Sequence, residues 1–367
     1  MLSQVSRYLA LRTLSGIAIM TAAVTGTILL IDLVEQLRST GVRSASLGLL
    51  GALHLTALKT PQLLEQTLPF VVLVGTMLAL NQLNRRSELV ALRAAGISAW
   101  RFLAPVVGVA VALGLATTLA LNPLGARLYA GFELERAAYL SDSEARRSSE
   151  EAPIWLRQGD DVGQIVISAR RVDPSQARLL EAVFFFFEFD AERRLRFVRR
   201  VSAQQADLRS GFWQLSGIVD ALPGQPPTRS EHLAISTRLE PTALLDRYVS
   251  PQSLSFYRLP GVIAEAEAAG LTPTRYELRW QSLLATPLLF AAMAALGAVF
   301  SLRLSRLGGG AVWAMTGLGA GFLLFFVGQL SNAFATSQVI PPLIAVWAPP
   351  LSGLLAAMAI LGYLEDG

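Results

Sequence analysis

Apolar positions gather in six long runs along this chain, and polar positions concentrate in the gaps between them. About 20 consecutive apolar residues are what a helix needs to cross a bilayer core. The runs predict helices over residues 13–33, 63–83, 102–121, 281–302, 310–330 and 340–363. Asp32 stands at the end of the first, and Glu65 and Pro69 interrupt the second. The sixth holds Pro341, Pro342, Pro349 and Pro350. Neighbouring helices re-satisfy the carbonyls that such prolines free, so a bent helix packed in a bundle is expected there.

Between the third and fourth runs the pattern changes to short stretches rich in β-branched and aromatic residues. QIVISARRV, LLEAVFFFFEF, LRFVRRVSAQQADL, FWQLSGIVDAL and HLAISTRL read as strands. Turn-like Asp-Pro, Asp-Ala-Glu, Arg-Ser-Gly and Pro-Gly-Gln-Pro-Pro separate them. A sandwich or jellyroll over about 153–239 follows. Helical connectors are expected at 127–147 and 259–270. The fold class is then an α-helical membrane protein of six transmembrane helices with an inserted all-β domain, a sandwich or jellyroll. Its divisions are 1–126 for the first three spans, 127–275 for the inserted region and 276–367 for the last three spans.

Composition agrees. The 367 residues are 53% hydrophobic and only 16% charged, where a soluble domain carries about 25% charged residues. Mean hydropathy is +0.47. With no cysteine, disulfides, thiolate metal sites and cysteine catalysis are excluded. The first apolar run is too long for a cleavable signal peptide and has no small-residue cleavage site. The excess of arginine reads as topology and not as nucleic-acid binding. Arg7, Arg12, Arg85, Arg86, Arg93, Arg101, Arg303 and Arg306 all fall on one side of the alternating spans, whereas the loop 331–339 has no charge. That side is expected to be cytoplasmic, with both termini inside and the β-domain outside.

One gap is unusual. RRSELVALRAAG, residues 85–96, packs Arg85, Arg86, Glu88 and Arg93 into a short helix-forming segment. Ser87 is placed to cap it and Gly96 to end it. At about 100° per residue, Glu88 shares a face with Ala91, Leu92 and Ala95, Arg86 and Arg93 lie opposite, and Leu89 falls between. A small-residue face with one carboxylate suits close docking of a partner. An interfacial helix that anchors a loop is the plainer reading of the same pattern.

Motifs for chemistry within the chain are lacking. The phosphate-binding G-x-x-x-x-G-K-[ST] pattern needs a lysine, and the only one, Lys59, sits in TALKTP. Neither a nucleophile elbow nor H-E-x-x-H occurs, and His54 and His232 lie far apart. No cofactor or metal is expected. Asp32, Glu35 and Arg38 follow one another at the outer end of the first span, as a solvated helix end or as a polar lining beside a substrate path. Phe184–Phe187 and Phe189 put rings on both faces of one strand, which is normal for a strand buried on both sides.

At this point the residues resemble the LptF/LptG lipopolysaccharide export permeases over nearly the whole chain. The order of parts agrees: three spans, a β-jellyroll, three spans. So do RYLALRTL, DLVEQLR, LPFVVLVGTMLALNQLNRRSELVALRAAGIS, LSFYRLPGVIAEAEAAGLTPTRYELRWQSLLATPL and IPPLIAVWAP. DLVEQLR is nearer the LptG pattern than the LptF pattern.

The resemblance implies a permease that pairs as an LptF–LptG heterodimer on two LptB-like ATPase subunits. It would extract lipopolysaccharide from the inner membrane and pass it, with an LptC-like protein, to an LptA-like periplasmic bridge. It implies that 85–96 is the coupling helix, with Glu88 matching the glutamate that docks in the ATPase and Arg85, Arg86, Leu89, Leu92 and Arg93 beside it. It further implies a lipid path past Asp32, Glu35, Arg38, Arg127 and Arg136, and past Phe184 and Phe186 in the jellyroll. Asp32 departs from the family pattern, since a lysine can stand at that place. An LptF-type paralogue is the nearest alternative. A lipoprotein-releasing type of exporter subunit has its large domain after the first span, unlike this chain. A membrane-anchored scaffold or sensor would need neither six spans nor a charged coupling helix.

Overall fold

The structure is a computed structural model that describes residues 2–39, 48–145, 154–159, 163–173, 178–189, 195–209, 211–237, 250–268, 272–303 and 310–366. It divides into two compact units. One holds residues 1–136, 251–262 and 274–367, and the other holds 137–250 and 263–273.

The first unit is helical: α1 (Leu2–Ser39), α2 (Leu49–Arg85), α3 (Glu88–Ala94), α4 (Ala99–Ala116), a π turn (Thr117–Leu121) and α5 (Asn122–Ala145). After the insertion come α6 (Leu259–Ala268), α7 (Thr274–Arg303), α8 (Gly310–Thr336) and α9 (Pro342–Asp366). Of these, α5 and α6 are each divided between the two units. Among the described residues, six segments are long and apolar enough to cross a membrane: Gln4–Arg38, Leu49–Arg85, Ala99–Arg136, Thr274–Leu302, Ala314–Thr336 and Pro342–Tyr363. Most outrun the apolar runs that announce them, because helices continue past the hydrocarbon into amphipathic ends. Neither Glu65 nor Pro69 breaks the second span, and α2 runs through both. Pro342 opens α9, where a missing N–H costs nothing, and Pro349 and Pro350 lie inside it.

Apolar association contributes little between helices in lipid, so close backbone contact between small residues matters more. Gly16 of α1 lies against α2 so closely that a Cβ there would meet the Gly75 carbonyl oxygen at 2.5 Å. Gly114 of α4 meets Pro287 of α7 in the same way, at 2.5 Å from its Cα. The main core is built from α1, α2, α3, α4, α7, α8 and α9, around residues such as Leu73, Leu80, Phe102, Val106, Phe290 and Met293.

Among its described residues the second unit carries one antiparallel sheet of six strands paired in sequence order. They are β1 (Ile154–Gly159), β2 (Gly163–Asp173), β3 (Arg178–Phe189), β4 (Leu195–Arg209), β5 (Phe212–Ala221) and β6 (Thr228–Ser236). The strand β1 was absent from the five expected from sequence. The expected turns at 174 and 190–192 fall outside the described residues, as do Arg147, Gly270 and Arg306. The β5–β6 turn contains Gly224 at φ 78°.

A crease crosses this sheet. The pairing register skips Arg170, Glu181, Gln204, Gly217 and Glu231, which form one row over β2–β6. Glu181 and Gly217 have φ of 52° and 64° there. Side chains alternate faces along a regular strand. At the row this alternation slips by one: the buried set changes from Leu179 to Ala182 and Phe184, from Ala203 to Ala206, and from Leu215 to Ile218. The slip keeps the apolar face continuous on both sides of the crease. On the same sheet Arg199 donates to Asp220 at 2.9 and 2.7 Å, and that hydrogen bonding raises its guanidinium pKa.

Candidate functional site

The charged segment forms a separate seven-residue helix, α3, two residues beyond the end of α2. Ser87 occupies the N-cap position with φ 58° and makes no side-chain cap bond, contrary to the capping role expected of it. Gly96, at φ 77°, ends the helix. Its N–H donates to the Arg93 carbonyl at 2.9 Å and the Ile97 N–H to the Leu92 carbonyl at 3.1 Å, the paired closure typical of a glycine terminator.

The helix has an inner and an outer side. Leu89, 3% exposed, and Leu92 join the same apolar cluster as Leu9, Leu83, Ala99 and Phe102. They hold α3 to the spans. Arg85, Arg86, Val90, Ala91, Arg93, Ala94 and Ala95 are exposed. Glu88 is half-buried and already has a partner: the Tyr8 hydroxyl of α1 donates to its Oε2 at 2.9 Å. Arg12 Nε donates in turn to the Tyr8 oxygen at 3.1 Å, with its guanidinium carbon 5.2 Å from the ring centre.

At the other end of α1, Asp32 is 5% exposed and accepts from Lys59 Nζ at 2.6 Å. Gln36 Nε2 donates to its second oxygen at 3.4 Å. Lys59 also lies 5.7 Å from the centre of the buried Phe132 ring, and Arg136 lies 5.8 Å from the same ring. Asp32 and Arg136 are therefore joined through Lys59 and Phe132. Glu35, Arg38 and Arg127 are exposed. His54, given no role from sequence, has its Nε2 3.2 Å from Glu135 Oε1.

A second polar cluster lies deeper. Arg279 of α7 pairs with Glu65 of α2 at 2.7 Å, with side chains only 16% and 8% exposed. Asn122, at the end of the π turn, donates to the other Glu65 oxygen at 3.0 Å and accepts from the Phe256 N–H at 2.8 Å. Nearby, the Tyr257 hydroxyl donates to the Leu119 carbonyl of the π turn at 3.2 Å. Glu65 drew notice from sequence only as a break in a span. Its partner, 214 positions away, could have been sought from the rule that intramembrane charges pair.

On the sheet, Phe184 is fully buried and meets Trp213 edge-on at 5.8 Å, while Phe186 is half-buried at the border of the same core. Phe185 and Phe187 are half-buried on the other face, under Arg200 at 6.0 Å and beside Phe197 at 5.8 Å. The strand is thus fully buried on one face only, and arginine stems and one ring cover the other. This corrects the double-sided burial expected from the phenylalanine run.

Among the described residues, six helices long and apolar enough to cross a membrane, with paired charges buried between them and a folded insertion after the third, fit a multi-pass permease. The family can be stated. The chain belongs to the lipopolysaccharide export system permease LptF/LptG family, whose model matches residues 7–363. It is 26% identical over 346 residues to the lipopolysaccharide export system permease protein LptG of Escherichia coli strain K12, covering 90% of each chain. It is 24% identical over 373 residues to the LptG protein of Haemophilus influenzae, over the full length of both. The chain is a permease subunit of lipopolysaccharide export.

Proposed function

We propose that this chain is the LptG-type half of an export machine in the bacterial inner membrane. It pairs with an LptF-like permease as a heterodimer on two LptB-like ATPase subunits. ATP is hydrolysed in those partners, since this chain has no phosphate-binding loop of its own. Lipopolysaccharide leaves the membrane through the pair and passes, with an LptC-like protein, to an LptA-like periplasmic bridge. Arginine-rich ends face the cytoplasm, both termini lie inside, and the sheet unit is periplasmic.

The observation that carries this reading is the build of α3. It is fastened to the spans by Leu89 and Leu92 and leaves Val90, Ala91, Ala94 and Ala95 exposed beside Arg86 and Arg93. A short apolar ridge flanked by arginines is a surface for a protein partner. It is fastened firmly enough to transmit force, unlike a helix lying loosely at the interface. At the far end, Asp32, Glu35, Arg38, Arg127 and Arg136 line the lipid's route together with Lys59, and Phe186 meets acyl chains on the sheet. Phe184 supports that surface from the core. Because Asp32 neutralises Lys59, a head group with fewer phosphates fits this route.

Affinity purification of the chain from native membranes tests the reading. An ATPase subunit is expected to co-purify. Ala94→Arg on the ridge is expected to lower its recovery about tenfold, a loss of roughly 1.4 kcal/mol, with membrane insertion unchanged. Recovery of no ATPase with the unaltered chain, or labelling of α3 from outside intact cells, would sink it.

A further inference from the structure

Where the side-chain alternation slips along the crease, two successive residues of one strand stay outside the core together. Arg170 and Arg171 do so on β2, Gln204 and Gln205 on β4, and Glu231 and His232 on β6. On β5 the pair is Ser216, half-buried, and Gly217, exposed. A regular strand turns only every second residue to one face, so the slip gathers polar side chains along this one band. Bulged positions of this kind re-aim side chains and are common beside functional sites.

The band has two halves. On β2 and β3 its charges are engaged, since Glu181 pairs with Arg170 at 2.8 Å and with Arg171 at 3.7 Å. On β4–β6 it opens into a cavity of about 580 Å³, lined by Gln204, Ser216, Arg229, Ser230, Glu231 and His232. Small-molecule clefts run from about 300 to 1,000 Å³, so this one has room for a ligand of that size. Among the described residues, none of these six side chains has a hydrogen-bond or ion-pair partner. Gly217 positions one of them. It has φ 64°, and a Cβ there would lie 2.9 Å from both Cδ and Oε1 of Gln204. The Gln204 carboxamide therefore rests where only glycine leaves space, and it is in place before a ligand arrives.

The donor set decides the class of ligand. One carboxamide, two hydroxyls and an imidazole offer donors and acceptors together. Arg229 and Glu231 carry opposite charges, so the groove has little net attraction for an anion, and a phosphate would meet Glu231 as a like charge. Adjacent hydroxyls of a sugar ring suit the planar ends of Gln204, Arg229 and Glu231, each of which can make two parallel hydrogen bonds. Val219, 37% exposed in the same lining, offers apolar surface to the C–H groups of such a ring. We propose that this groove binds uncharged sugar hydroxyls. The saccharide part of the exported lipid is one source of them and a free glycan is another. The first source rests on the reading of the chain as an export permease.

The test uses the full chain purified from native membranes, with the ATPase recovered beside it measured in every preparation. Two probes are titrated by calorimetry: dephosphorylated oligosaccharide cleaved from lipopolysaccharide, and maltoheptaose as an unrelated glycan. The oligosaccharide is expected to bind saturably, and excess inorganic phosphate is expected not to displace it. Gln204→Leu and Glu231→Ala alter exposed side chains and spare the core. Each is expected to weaken binding about five- to tenfold, the scale of one or two hydrogen bonds. Arg171→Ala, in the engaged half of the band, is expected to leave it unchanged. The chain has two histidines, and bound sugar is expected to protect His232 but not His54 from diethyl pyrocarbonate.

Binding of the lipopolysaccharide oligosaccharide well above that of maltoheptaose makes the substrate the source. Equal binding of the two supports the groove with a free glycan as its occupant. Failure of both probes to bind saturably overturns the proposal, as does wild-type affinity in both groove variants. Displacement by phosphate also overturns it, in favour of an anion site. A His232 left unprotected at saturation places the sugar elsewhere and rejects the groove. Absence of ATPase beside the unaltered chain counts against the export reading, whereas its presence without sugar binding counts against the groove alone.

Discussion

Thr118 donates its hydroxyl to the backbone carbonyl of Leu283 at 2.7 Å, across the contact between the π turn and α7. In an α-helix that carbonyl would accept from the N–H of residue 287, and residue 287 is proline. One helix defect is thus repaired by a side chain from another helix, at the level where Gly114 lets the two backbones touch. Thr118→Val is expected to destabilise the folded chain by about 1–2 kcal/mol, since it strands a buried acceptor. In a Pro287→Ala background the helix regains its own donor, and the same substitution is expected to cost little. Thermal unfolding of the four variants in one detergent checks the cycle, and equal costs in both backgrounds would refute it.

The pair of Glu65 and Arg279 is expected to behave asymmetrically. Glu65→Leu or Arg279→Met alone leaves one charge buried without its partner, which costs about 3–5 kcal/mol. The two together remove both charges and are expected to recover most of the loss. Yield of folded protein and unfolding temperature measure this. Asn122 loses its acceptor in either Glu65 variant, so recovery is expected to be incomplete.

Asp32 governs the charge that Lys59 presents. Asp32→Asn is expected to strengthen binding of a phosphorylated lipid head group about three- to tenfold at low salt, with the gain fading as ionic strength rises. Adding Lys59→Met to Asp32→Asn is expected to abolish the gain. Titration of the purified chain with bisphosphorylated and dephosphorylated lipid A separates charge from acyl contact.

The crease makes Gly217 more demanding than Gly224. Both have positive φ, 64° and 78°, but only at Gly217 would a Cβ collide, at 2.9 Å from the Gln204 side chain. Gly217→Ala is expected to cost about 1–3 kcal/mol and Gly224→Ala about 1 kcal/mol. Limited proteolysis of the full chain, read at sites in the sheet unit, ranks the two.

Phe184 and Phe186 are expected to separate into packing and contact. Phe184→Ala opens a cavity beside Trp213 at a cost of about 3–5 kcal/mol. Phe186→Ser, at the border of the core, is expected to cost less and yet to hinder lipid release. A photoreactive residue at 186 is expected to capture lipopolysaccharide, and the same residue at 184 is not. Equal capture from both would remove the distinction.

Six apolar helices, the insertion after the third and a short charged helix within 85–96, found at Glu88–Ala94, were legible along the chain because each is a local property. A run of apolar residues long enough for a bilayer, or an alternation of period two, needs no knowledge of neighbours. β1 escaped because six residues give alternation too little length to register. The strand faces were partly misread because the slip at Glu181 and Gly217 puts consecutive buried positions out of phase.

Partners were the part that folding had to settle. Asp32 meets Lys59, Glu65 meets Arg279, Thr118 meets Leu283 and Tyr8 meets Glu88, over separations of 27 to 214 positions. Charge pairing in a membrane is compulsory, but composition supplies only the charges. Helix packing, set by glycine contacts such as Gly16 on Gly75, chooses which of them come within a few ångströms of one another.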